Sequence, residues 1–280
     1  MCRMNPKIDI VFKKLFGSEE NSDILLAFIN SVLQSPHPIT KINLKNPYNI
    51  SEYLKGKMSI LDIKAEDERG RKYDIELQRE EQGFFGQRAL YYWGKVYTDQ
   101  IESGGMYSTL NKTIVISLLD FKYFDDTRFY RKTCITDIET KQEYDQLDFL
   151  ELHFVEMSKF DKDLSLLNSS LDRWVTFLNH AYEYEKNKIP AELASDSSIK
   201  KAIEKLDILY FDEKERECYE NERKAEWTRS AEIQTAEERG KVEGEIKKTI
   251  DTARKMKLKN LPVELIVEIT GLSIKEIEEL

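Results

Sequence analysis

The sequence predicts one α/β core of catalytic-domain size, followed by a smaller helical appendage. Three observations predict it. The chain has 280 residues, 40% of them hydrophobic and 34% charged, enough apolar material for one packed interior near the size at which single cores stop growing. Two β-rich segments with period-two alternation flank a polar turn at 58–79, and an apolar run fills 113–121. Charge then dominates from 211 to about 245.

Taken in order, KIDIVFKKLF at 7–16 sets Ile8, Val11, Phe12 and Leu15 at helical spacing, and 22–33 continues with Ile24, Leu25, Phe28, Ile29 and Val32. Pro36, Pro38 and Pro47 then break helical runs, which leaves a locally basic loop with room for a short edge strand. MSILDIKA at 58–65 and KYDIELQR at 72–79 alternate around the turn EDERGR and read as a β-hairpin. Gly83 to Glu102 reads as an aromatic-rich helix stopped by Gly104-Gly105, and TIVISLLDF at 113–121 as a strand buried on both faces. LDFLELHFVEM at 147–157 suits another strand, with helices around 169–186 and 198–209 completing a globular domain over 1–210. Residues 211–245 form a charged helical arm or linker with Asp212/Arg216, Glu220/Lys224 and Glu243/Lys247 at i,i+4 spacing. Residues 246–280 form a helical hairpin: an apolar helix at 262–269, a Thr270-Gly271 turn, and Ser273 as a cap with Glu276 three residues on.

Composition excludes several function classes. Cys2, Cys134 and Cys218 are far apart, with neither a CxxC pair nor histidine partners, so no disulfide framework or zinc site is implied and a reducing compartment fits best. The N-terminus lacks a continuous apolar core and no stretch reaches about 18 uninterrupted apolar residues, so the expectation is a cytoplasmic protein without membrane spans. The net charge of −9 weighs against tight nonspecific nucleic-acid binding, and any such contact must come from local basic patches. His37, His153 and His180 show no triad or metal spacing, and no Walker-type GKS/T loop follows Gly83, Gly86, Gly104 or Gly105, so no nucleotide cofactor is expected.

The hairpin carries the chemistry. Leu61, Ile63 and Ala65 share a face opposite Asp62 and Lys64, while Tyr73, Ile75 and Leu77 oppose Asp74, Glu76 and Gln78. A register with Lys64 across from Asp74 sets Asp62 across from Glu76, with Cβ atoms roughly 4.5–5.5 Å apart. Opposed like charges destabilise a sheet unless a hard cation sits between them, and carboxylates with water suit Mg2+. Acidic side chains on strand faces are more often simply solvated, and spacing alone leaves both readings open.

ILDIKAEDERGRKYDIELQ resembles the Asp, then Glu-x-Lys signature of PD-(D/E)XK nucleases, in the form used by the Rpn family of recombination-promoting nucleases and transposase-like proteins. There Glu-x-Gln commonly replaces Glu-x-Lys. NPKIDIVFKKLFG, ALYYWGKVYTDQIESGGMY, TIVISLLDF and TGLSIKEIEEL are similar to that family in the same order, so the resemblance covers most of the chain. It implies a restriction-endonuclease-like mixed β-sheet flanked by helices. It also implies a Mg2+-dependent DNA endonuclease promoting recombination, with Mn2+ as a substitute, in which Asp62 and Glu76 hold the metal and Gln78 completes the catalytic set where other nucleases place lysine.

Gln78 carries no charge and takes no proton, so Lys64 or Lys13 are candidate sources of the missing cation, and Asp9 is a candidate further metal ligand. Each is more often an ordinary surface or helix-start residue. On the following helix Arg88, Tyr92 and Lys95, with Gln87 and Tyr91 beside them, can meet phosphates and stack on bases, against a reading in which the tyrosines are core. A rival function is a catalytically silent DNA-binding or assembly protein of the same fold. A second places DNA binding in the tail, where LPVELIVEITGLSIKEIEEL resembles a helix-turn-helix. After Ser273, however, Lys275 stands against Glu276, Glu278 and Glu279, which repels phosphate and favours a hairpin for self-association or docking.

Overall fold

The computed structural model describes residues 3–54, 63–81, 83–185 and 188–280. In chain order the elements are α1 (Asp9–Gly17), α2 (Ser22–Leu33), β1 (Ile42–Leu44), α3 (Ile50–Leu54), β2 (Ile63–Asp67), β3 (Lys72–Gln78), α4 (Phe85–Thr98), β4 (Thr113–Leu119), β5 (Tyr130–Cys134), β6 (Leu150–Glu156), α5 (Ser170–His180), α6 (Ala191–Ala194), α7 (Ser197–Lys205), α8 (Glu213–Leu258), α9 (Val263–Thr270) and α10 (Ile274–Glu278). The chain divides into two compact units, Met1–Glu220 and Asn221–Leu280.

Among the described residues of the first unit, six strands form one mixed sheet in the order β1-β2-β3-β4-β6-β5. β1, β2 and β3 are antiparallel neighbours, β3, β4 and β6 run parallel, and β5 closes the far edge antiparallel to β6. This is the mixed sheet flanked by helices that the hairpin, the buried run and the family resemblance pointed to. All seven residues of β4 are buried, as a strand covered on both faces requires.

The two faces differ. Tyr73, Ile75, Ile114, Ile116 and Leu118 join the main core with α1, α2, α5 and α7. Its centre is aromatic, with ring centroids 5.2 Å apart for Phe16 and Phe28 and 5.6 Å for Phe28 and Trp174. Val115 and Leu119 face the other way and pack with Phe85 and Ala89 of α4 and with Leu152 and Phe154 of β6. α5 starts where Ser169 accepts from the Asp172 backbone N–H and the Asp172 carboxylate reaches back, a reciprocal cap.

Several elements differ from expectation. The aromatic helix is shorter than 83–102, because Phe84 adopts the left-handed region at φ 69° and the helix begins after it. β5 was not anticipated: YRKTC is short, half polar and at the sheet edge, where only one face needs apolar residues. The two carboxyl-terminal segments are joined by one unbroken 46-residue helix, α8, which runs across position 245.

In the second unit, Ala253 of α8 packs with Ile266 of α9 and Ile277 of α10, flanked by Met256, Val263 and Val267. Gly271 closes α9 in the left-handed conformation at φ 73°, and Ser273 and Glu276 form the reciprocal cap that starts α10. Lys257 donates to the carbonyls of Ile277 at 2.9 Å and Glu278 at 2.8 Å, satisfying oxygens at the end of α10. Among the described residues no helix is long and apolar enough to cross a membrane.

Candidate active site

The face of β3 that looks toward α4 is the polar one. Pairing sets Asp74 against Val115, Glu76 against Ser117 and Gln78 against Leu119, so these residues share the face lined by Val115 and Leu119. Covering that face with α4 buries Asp74 fully and leaves Glu76 only 2% exposed. Gln78, at the strand end, is half-buried. Across the hairpin Lys64 pairs with Asp74, the register expected from the alternation. Asp62, the other expected metal ligand, lies outside the described residues.

Arg88 of α4 projects to this face. Its guanidinium stands 4.0 Å from Glu76 Oε2, 5.3 Å from the Tyr92 ring centroid and 6.0 Å from that of Phe85. Tyr92 is thus turned inward, 9% exposed, while Gln87 and Tyr91 face outward, Tyr91 at 65%. The division follows from 3.6-residue periodicity, since Phe85, Ala89, Tyr92 and Val96 form the buried stripe of α4. From Gly83 to Thr98 there is no acidic residue, although the whole chain carries −9.

The auxiliary candidates have other partners. Lys64 Nζ lies 3.5 Å from Asp99 Oδ2, just past the end of α4. Lys13, buried on α1, donates to Asp9 Oδ2 at 3.1 Å, and Tyr53 donates to the same oxygen at 2.8 Å. The Lys13 ammonium also sits 5.5 Å from the Tyr53 ring centroid. Asp9 is therefore a side chain already oriented by two donors.

Among the described residues no group of three or more His, Cys, Asp or Glu side chains is placed to hold a metal ion. The donors on the β3 face, two carboxylates and an amide with a serine hydroxyl across the ladder, are all oxygen-bearing and fit a hard divalent cation. Two members were not singled out in the sequence. Asp74 was visible only as a polar position in the alternation, and Ser117 as the one polar residue interrupting the apolar run TIVISLL.

A second buried polar cluster lies on the opposite face of the sheet. Glu151 contacts His153 Nε2 at 2.6 Å, Lys112 Nζ at 2.6 Å and Lys132 Nζ at 3.2 Å. Burial by itself would raise the Glu151 carboxyl, but the hydrogen bonds and charges of His153 and Lys112 outweigh it and hold the group well below the usual carboxylate range. Tyr130, pushed up to about 12 by burial and then by Glu151, lies 3.0 Å from His153 Nδ1 and donates to the Val32 carbonyl. Its location beneath α2 marks this cluster as part of the core.

No curated protein and no solved structure matches the chain. A family model described as PD-(D/E)XK nuclease family transposase matches residues 6–236. That span contains the whole sheet, the polar face of β3 and the helix above it, and the chain accordingly belongs to the PD-(D/E)XK nuclease family of transposases.

Proposed function

We propose that the protein is a divalent-metal-dependent DNA endonuclease that hydrolyses phosphodiester bonds and promotes recombination. The observation that carries this reading is Glu76 on the α4-facing side of β3, with Arg88 within ion-pairing distance, inside a chain matched by a nuclease family. The pairing of Lys64 with Asp74 is the register on which the sequence expectation for Asp62 rests. Asp62 and Glu76 would hold Mg2+, or Mn2+ in its place, and nucleases of this family generally use divalent ions. When bound, the ion would supply charge to polarise a phosphate and make water more acidic.

The chain's own side chains do the rest. Gln78, at the open end of the strand, orients the attacking water by accepting from it. Arg88 sits where it can neutralise phosphate charge, and Gln87 and Tyr91 hold the strand from the outer side of α4. Tyr92 serves by stacking under Arg88. Lys13, Lys64 and Asp9 are the proposed auxiliary charges, each held by the partners described above.

The test is plasmid nicking with and without Mg2+, comparing the intact protein with Asp62→Ala and Glu76→Ala after each is shown to be folded. A drop of 100-fold or more in both variants is expected, on the order of removing one group that stabilises the transition state. Equal activity in all three would remove the nuclease assignment and leave the catalytically silent DNA-binding or assembly protein, a reading the enclosure of Glu76 favours.

We also propose self-association through the C-terminal helices. Leu261, Leu265, Ile269 and Ile274 remain 36–58% exposed around the small core of the second unit, apolar surface available to a second copy. Deleting residues 246–280 is expected to lower the oligomeric mass by sedimentation without abolishing metal binding; an unchanged mass counts against it.

A further inference from the structure

The exposed side of α4, where Gln87 and Tyr91 are proposed to hold the strand, also bears on which kind of strand is held. Phe84 is 80% exposed and Tyr91 65% exposed, in a protein whose other aromatic side chains on this helix are buried or half-buried. Phe84 also holds a left-handed backbone conformation at φ 69°, a region that a bulky side chain adopts at a cost. Its N-cap position does not use the side chain for capping. Neither burial nor helix initiation explains a phenylalanine there.

Helical periodicity sets Gln87, Tyr91 and the half-buried Lys95 in one stripe, with exposed Phe84 at the residue before the helix and Arg88 on the border toward Glu76. The two rings are seven residues apart in sequence. The stripe has no acidic residue between Gly83 and Thr98 and two basic ones, Arg88 and Lys95, against the acidic balance of the chain. Aromatic rings alternating with cations and lacking carboxylates complement a strand whose backbone is anionic and whose bases are flat and apolar on both faces. In a duplex those faces are covered by neighbouring pairs, so an exposed ring gains a stacking partner only from a base that has left the stack.

We propose that Phe84 and Tyr91 are a stacking platform for unpaired bases, which directs the protein to DNA containing single-stranded or unstacked nucleotides beside the bond that is cut. The proposal rests on the nuclease reading for the identity of the bound strand, and the binding it predicts is separable from hydrolysis. Arg88, between the rings in sequence, meets the phosphate that links the stacked nucleotides. The outward stripe thereby sets the substrate class, and the β3 face sets the chemistry.

The test is fluorescence anisotropy of the full chain without divalent metal, using a 20-nucleotide single strand, the matching duplex, and the same duplex with a central unpaired bubble. Phe84→Ala and Tyr91→Ala are each expected to weaken single-strand and bubble binding about tenfold, with duplex binding changed less than twofold. Tyr91→Trp and Phe84→Trp should restore binding, which a merely structural role for either ring would not predict. Equal affinity of the intact protein for single strand and duplex, or alanine variants that lose nothing, overturns the platform. A change in sedimentation mass in the alanine variants without a change in DNA affinity also overturns it, since the rings would then contact another protein chain. Loss of nicking with the single-strand preference intact would instead remove only the hydrolytic reading, and nicking without that preference would remove only the platform.

Discussion

Glu151 is 5% exposed and holds contacts to Lys112, Lys132 and His153, so its charge is compensated only while those partners stay in place. Glu151→Gln is expected to lower unfolding free energy by about 1–3 kcal/mol in urea titrations, because it takes the counter-charge from half-buried Lys112 and disturbs the hydrogen bond to buried His153. The pH dependence follows from the direction of the shift. A carboxyl held lower in the folded state than its ordinary value of 4.5 contributes stability that is complete above that value and is lost as pH falls through the folded one. Below pH 4.5 the intact protein should therefore lose stability more steeply than the Gln variant, and parallel curves would contradict the assignment.

The candidate site was partly legible at this scale. Glu76 and Gln78 follow from strict alternation, as does the pairing of Lys64 with Asp74. Burial of Asp74 and Glu76 was not, because it depends on α4 folding back over the sheet. The inward turn of Tyr92 and outward turn of Tyr91 likewise depend on the point at which α4 starts, which Phe84 sets through a backbone state that sequence does not announce.

Among the elements, the hairpin turn between β2 and β3 is the most closely specified. Asp67 accepts from the backbone N–H groups of Arg69 and Arg71 and from the side chains of Arg71 and Tyr73, at 2.7–3.0 Å. Gly70 completes it at φ 79°, where an added Cβ would lie 3.3 Å from Asn111 Oδ1. Gly70→Ala should cost about 1–2 kcal/mol by chemical denaturation, the usual penalty of a side chain in that conformation. The polar run EDERGR announced this turn, and the capping pattern Ser273 to Glu276 announced α10 just as directly. β5 lacked such a signal, since its alternation is between polar and half-polar residues.

α8 was legible in its charge but not in its continuity. An exposed run rich in i,i+4 pairs is compatible with a helix or a flexible arm, and what anchors its start lies far away in sequence. Glu215, 3% exposed, contacts Lys14 of α1 and accepts from the Tyr48 hydroxyl at 3.1 Å. Burial and the Glu215 carboxylate together push the Tyr48 phenol well above its ordinary range. Such long-range pairs leave no local pattern.

For the whole molecule, a net charge of −9 limits how DNA can be held. With Arg88 and Lys95 as the cations on the proposed binding stripe, only about two phosphates can be neutralised, so log K against log salt should fall with a slope of about −1.4 on a single strand. A slope near zero would remove phosphate contact from the account, and a much steeper one would demand a basic surface elsewhere. Retention of the sheet within Met1–Glu220 leads to a further expectation: a chain ending at residue 220 should still unfold cooperatively by near-ultraviolet circular dichroism.

β4 has a parallel neighbour on each side and no exposed residue along its length. Its amides should be the last in the protein to take up deuterium, opening only when the whole domain opens. Because both of its neighbours are joined to it through long crossovers, that protection should also be among the last acquired during refolding, which makes this strand the clock by which assembly of the molecule can be timed.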